Sequence, residues 1–237
     1  MRTMLLIFSL FSVTFNGKAA MMEPFYTELV GTERFFLDSL AVLTPEQAEK
    51  LQVRYWYFSF PLKSTSGKSD DTNNCLDIKN KFSQGYTARN SSDYSAFLAT
   101  ISICHSWEIM SKLKPSKKSF LGESIINEAL PSETPSDLAF IISDEQTIKA
   151  NKMKFWSNMD NIVRFERITD HQGVYFDDSD GYQKVTLVAT GDYNADGIED
   201  AIVIKENSVL TGSYVSTHGY VLTRDSENAP FKILTKW

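Results

Sequence analysis

Five oxygen donors recur at alternate positions in residues 191–200, G-D-Y-N-A-D-G-I-E-D: the side chains of Asp192, Asn194 and Asp196, the carbonyl of Ile198, and the carboxylate of Asp200. Gly197 stands where such a backbone must turn sharply. This is the spacing with which a short loop wraps a hard cation. Three aspartates repel one another when the loop closes empty, Glu199 adds a fourth negative charge, and a divalent ion reverses the penalty. Calcium accepts six to eight oxygens in an adaptable geometry, whereas magnesium demands a strict octahedron and keeps its water, so an acidic all-oxygen loop of this kind favours Ca2+. The competing reading is an ion-free turn, because Asp, Asn and Gly are favoured in turns on their own account.

The elements that must hold this loop are legible on either side. Residues 185–190, V-T-L-V-A-T, and 201–204, A-I-V-I, are short, apolar and β-branched, so the setting is strand, loop, strand. A helix–loop–helix calcium site fails, since its twelfth position needs a bidentate Glu and Val203 stands there. The run D-Y-N-A-D-G-I-E-D-A-I-V resembles instead the calcium loop of the FG-GAP and VCBS families. That resemblance implies Asp192, Asn194, Asp196 and Asp200 as side-chain ligands and Ile198 as the carbonyl ligand. It spans about twenty residues, and only one copy is present. Residues 177–181 look like a second site, but counting back from Gly181 puts Phe176 in the first ligand position, so they read as an acidic turn. Without internal repetition a propeller is not expected.

The two cysteines are the next reactive groups. Cys75, Ile78 and Phe82 share one helical face, as do Phe97, Ile101, Cys104 and Glu108. The pair of helices predicts an αα-hairpin, and cysteines on both apolar stripes of an exported chain predict a Cys75–Cys104 disulfide. A nucleophilic Cys104 is disfavoured because adjacent helical residues point about 100° apart, so His105 cannot simply activate it. Other constellations are thin. The chain has no G-x-S-x-G elbow and no H-E-x-x-H pair, and Ser111-Lys-Leu-Lys114 lacks the companions of an S-x-x-K enzyme. Gly67-Lys-Ser69 imitates the end of a phosphate-binding loop, but Leu62 occupies the position of its first glycine. His218 reads as a surface histidine, with a cleft-lining role as the sharper alternative.

Residues 1–20 have the three parts of a secretory signal peptide: Arg2, an apolar run to Phe15, and small residues before a cleavage point after Ala19 or Ala20. No cysteine stands at that point to carry a lipid, and no later stretch approaches about 20 apolar residues, so no stable membrane anchor is expected. Removing the segment takes Arg2 and Lys18 with it and deepens the formal charge from −6 to −8. That balance argues against nucleic acid or an anionic membrane as partner.

Elsewhere, Thr44-Pro-Glu-Gln47 and Ser143-Asp-Glu-Gln146 are capping boxes that open helices. Residues 53–60, V-R-Y-W-Y-F-S-F, predict a strand buried on both faces, with an aromatic ligand stripe as the alternative. Residues 61–74 predict a polar loop, and 120–130 a helix stopped by Pro131. Strand signals then repeat over 162–168, 173–176, 185–189, 201–204, 213–223 and 231–234. The expected fold is α+β: a mixed, mainly helical part over 21–156 with the disulfide-stapled αα-hairpin, and a C-terminal antiparallel β-sheet over 157–237 carrying the calcium loop.

No catalytic set is legible, so the leading functional reading is an exported, periplasmic or secreted, calcium-stabilised binding protein for a protein or glycan. A periplasmic hydrolase with an unrecognised carboxylate pair is the runner-up. An acidic inhibitor or immunity protein of a basic enzyme is a third.

Overall fold

The computed structural model describes residues 20–38 and 40–237; the expected signal peptide therefore lies, but for Ala20, outside the described residues. Strand β1 is Phe25–Tyr26 and helix α1 is Pro45–Leu51. Thr44 caps α1 by accepting the Gln47 N–H, and the Gln47 side chain reaches back to the Leu43 N–H at 2.7 Å. Strands β2 (Phe60–Lys63) and β3 (Ser69–Thr72) are followed by α2 (Cys75–Ser83), β4 (Thr87–Ala88) and α3 (Tyr94–Met110). Short helices α4 (Leu130–Glu133) and α5 (Asp144–Ala150) precede six long strands. These are β5 (Ile162–Thr169), β6 (Gln172–Asp177), β7 (Gly181–Gly191), β8 (Asp200–Val209), β9 (Val215–Thr223) and β10 (Lys232–Lys236).

All six strand signals of residues 162–236 become neighbours in one open antiparallel sheet, in the order β10-β9-β8-β7-β6-β5, with β1 continuing the β6 side of β7. Side chains alternate across it, and both faces are covered. Ile202, Ile204, Val188 and Val221 point into a core built with α3 and the preceding chain. Ala201, Val203, Val185, Tyr220 and Leu222 point the other way, into a second core closed by Leu121, Ile126, Leu130, Leu138 and Trp156. The mixed helix-and-sheet class and the antiparallel sheet thus stand, and the sheet is not a closed barrel. Among the described residues no helix is long and apolar enough to cross a membrane.

Helix α3 is buried on nearly every side, from Phe97 to Met110, because the sheet covers one flank and α1 and α2 cover others. Cys104 on α3 and Cys75 at the start of α2 form the expected disulfide, with Cα atoms 5.3 Å apart.

Three local expectations fail. Residues 53–59 are not a strand: Trp56 and Phe60 are buried, but Tyr55 is 72% and Tyr57 59% exposed. The expected loop at 61–74 holds the β2–β3 hairpin, which forms because Leu62, fully buried, anchors a three-stranded sheet β3-β2-β4. Residues 120–129 are irregular rather than helical, since polar side chains capture the backbone: Ser119 Oγ accepts the Leu121 N–H, Asn127 donates to Ser124 O, and the Ala129 N–H donates to Asn127 Oδ1. Gly122 at φ 82° completes the break.

Candidate metal centre

The β7–β8 hairpin places Gly191 opposite Asp200, so both ends of the acidic loop are fixed by the ladder. The chain after α3 runs alongside and takes up the loop backbone. Lys114 and Asp192 exchange two hydrogen bonds (3.0 and 2.9 Å), the Lys117 N–H donates to Gly197 O at 2.8 Å, and the Glu199 N–H donates to Lys118 O at 2.8 Å. This strap is itself tied to the start of the described chain by paired bonds between Ser116 and Met22. Gly197, at φ 86°, makes the sharp turn expected of it, with the Lys117 side chain packed against it. Ala195 also adopts a left-handed φ of 65°, a conformation that costs a non-glycine residue about 1–2 kcal/mol.

The predicted ligands separate into a buried pair and an exposed tip. Asp192 is buried, and its two carboxylate oxygens accept the N–H groups of Asp196 (3.1 Å) and Gly197 (2.8 Å). Asp200 is fully buried; Oδ2 accepts the Tyr193 N–H at 2.9 Å, while Oδ1 has no partner among the described residues. Asn194 and Asp196 are exposed and bonded to each other, Asn194 Nδ2 donating to Asp196 Oδ2 at 2.8 Å. Asp196 Oδ1 accepts the Ile198 N–H at 2.7 Å. The Ile198 carbonyl accepts no hydrogen bond among the described residues. Glu199 points away, taking a hydrogen bond from the Thr190 hydroxyl at 2.5 Å.

Burial raises the Asp200 carboxyl above its ordinary value, and the negative charges of Asp196 and Asp192 add to the rise; the nearby Thr223 hydroxyl and the Tyr193 N–H pull the other way. The loop is therefore short of positive charge. In chemistry the donor set fits a hard cation, because each carboxylate oxygen that accepts one N–H keeps a second lone pair. In arrangement it is open: among the described residues, no three His, Cys, Asp or Glu side chains converge as a metal-holding group. Comparison with known protein families, curated proteins and solved structures finds no match.

Other sequence candidates resolve simply. Cys104 is closed to nucleophilic chemistry by its bond to Cys75. Asp177 Oδ1 accepts from the Ser179 N–H, the Ser179 hydroxyl and the Gly181 N–H, the acidic turn that was expected. Gly181 is required there, since a Cβ would stand 2.3 Å from Asp177 Oδ2. His218 lies beside a cavity, not on an open surface. Lys205, on the same cavity, escaped sequence reasoning. Its signal was the alternation Ala201, Val203, Lys205, which sends a lysine inward with two apolar neighbours.

Proposed function

We propose that the 191–200 loop holds a calcium ion and that this chain is an exported, calcium-stabilised binding protein for a protein or glycan partner. The observation that carries the reading is Asp200 Oδ1, a buried carboxylate oxygen in a loop of three aspartates that makes no hydrogen bond among the described residues, the nearby Thr223 hydroxyl falling outside bonding geometry. An unsatisfied buried charge is expensive, and a divalent ion is the simplest partner that removes the cost. Asp200, Asp192 and the Ile198 carbonyl would hold the ion from the fixed side, and the exposed Asn194 and Asp196 would close over it. Binding thus requires the tip to exchange its internal hydrogen bonds for the metal.

The consequence would reach beyond the loop, because the strap at 114–118 shares its backbone bonds. Tyr193 and the strap also line a groove of about 950 Å3, together with Pro24 and Leu43, the latter 68% exposed. That groove is the surface an ordered loop would present. The disulfide is compatible with export to an oxidising compartment.

Calorimetric titration should give one calcium per chain, with exported modules binding at about 10⁻⁴–10⁻³ M. At tenfold excess over Kd the ion stabilises by about 1.4 kcal/mol, or about 3–6 °C in Tm for a chain of this size. Asp192→Ala with Asp196→Ala should erase the difference between calcium and chelator. Melting indifferent to chelator in the unsubstituted protein would defeat the proposal. Pull-downs with and without the ion then test the partner.

A further inference from the structure

Between the second face of the sheet and the segment running from residue 137 to helix α5 lies a cavity of about 360 Å3. Lys205 and Asn207 of β8 line it, with His218 and Tyr220 of β9 beside them. Lys205 is 1% exposed, and its Nζ donates to the carbonyls of Leu138 (2.7 Å) and Ala139 (2.6 Å). Among the described residues no carboxylate pairs with it. An ammonium carries three donors and a full charge; two carbonyls satisfy two donors and leave the charge uncompensated. A Leu or Met would fill the volume without that cost.

Two residues along the same face, Asn207 is also 1% exposed. Its Nδ2 donates to Ser216 Oγ at 2.9 Å, and its Oδ1 has no partner among the described residues. Same-face neighbours on a strand stand about 7 Å apart. The cavity therefore lacks a negative charge at one point and a polar partner at another, within reach of one small molecule. The acidic groups around it are engaged elsewhere. Asp137 takes the Lys236 ammonium, and its carbonyl takes the Tyr220 hydroxyl at 3.1 Å. Asp160 accepts from the Phe140 N–H, Trp156 Nε1 and Gln183 Nε2.

We propose that this cavity binds a small hydroxycarboxylate, its carboxylate set against Lys205 and its hydroxyl against the side-chain amide of Asn207. A hydroxyl both donates and accepts, so it serves whichever amide atom faces the cavity. The surroundings favour an anion: His218 is pushed down to about 4 by burial and by the charges of Lys205 and Lys236, so it is neutral near pH 7 in a positive field. Lys205 itself is brought down to about 7 by burial, against the opposing pull of Asp160 and Asp137. A bound carboxylate restores its ammonium form, so binding takes up a proton at alkaline pH and weakens there.

The test is a titration of the disulfide-bonded protein with L-lactate, propionate, 1,2-propanediol and chloride, followed by backbone amide shifts. Lactate should move the amides of residues 138–141, 205–207 and 218 in a saturable way. Propionate, without the hydroxyl, should bind several-fold more weakly, and propanediol and chloride should give no saturable shift. Lactate affinity should fall about tenfold from about pH 6 to about pH 8, as a group titrating near 7 requires. Lys205→Met should abolish the response. If that variant does not fold, Asn207→Leu should retain propionate binding and lose the preference for lactate. Amides around residue 205 unmoved by lactate, or moved equally by chloride, would overturn the proposal and leave Lys205 as a staple on the 138–139 carbonyls.

Discussion

Asp200 concentrates the tension of the acidic loop in one carboxyl group, and its titration makes that tension measurable. A carboxyl whose native pKa is raised binds its proton more tightly folded than unfolded. Stability from this group is therefore present in acid and is lost as pH rises through the native value. In chelator, Asp200→Asn should melt above the unsubstituted protein near neutral pH, and the gap should close on acidification toward the ordinary carboxylate range. Saturating calcium should reverse the order at neutral pH, because the variant lacks the charge the ion would use. A difference that does not move with pH, followed by circular dichroism melts in chelator, would remove the raised carboxyl from the argument. The ligand types and their spacing were legible in the sequence, as was the turn at Gly197. That Asp200 and Asp192 are buried while Asn194 and Asp196 are exposed was not, since burial depends on the strap from α3, far away in the chain.

At the scale of elements, the disulfide joins two helices whose apolar stripes had already marked their cysteines as facing. The bond closes a separation of 29 residues, and on the chain-entropy account it stabilises by about 3–4 kcal/mol. Cys75→Ser with Cys104→Ser should lower unfolding stability in urea by about that amount, with the secondary structure of the folded state retained. A loss under about 1 kcal/mol would mean that the unfolded chain already keeps α2 near α3 without the bond. Helices opened by capping boxes were legible because a cap acts within four residues. The failed helix at 120–129 shows the opposite limit: its apolar spacing is helical, yet Ser119 and Asn127 offer the backbone local partners, and Leu121, Ile125 and Ile126 find burial against the sheet without a helix. The aromatic run at 53–60 misled for a related reason. Trp56 and Phe58 stack at 5.4 Å on the inner side, while Tyr55 and Tyr57 stay largely exposed.

Across the whole molecule the sheet is held between two layers, and Trp237 ties its far strands to α3. The Trp237 ring lies directly on Gly219, where a Cβ would stand 2.0 Å from the indole, and its Nε1 donates to Ser102 O at 2.8 Å. Ser102 in turn donates its hydroxyl to Thr217 O at 3.2 Å, so β9, β10 and α3 are locked at one point. Trp237→Ala should cost about 2–4 kcal/mol. Gly219→Ala should also destabilise, because the ring must move. The two together should cost clearly less than their sum, since the three atoms nearest the added methyl all belong to the indole. Additive costs in denaturant unfolding would show that the ring and the glycine are not coupled.

Strand β1 was not readable from sequence alone, but the six strands between residues 162 and 236, the disulfide partners, the two capped helices and the composition of the acidic loop were. Each of these depends on periodicity, capping or spacing that acts over a few residues. Long-range packing settled that residues 121–159 roof the second face of the sheet, that the strap from α3 binds the loop, and that Lys205 is buried beside Asn207 on the wall of a cavity. Those outcomes depend on which distant surfaces cover one another. A lysine at an inward strand position reads the same in sequence whether solvent or another layer lies above it; burial, and the uncompensated charge that follows, exists only once that layer has packed.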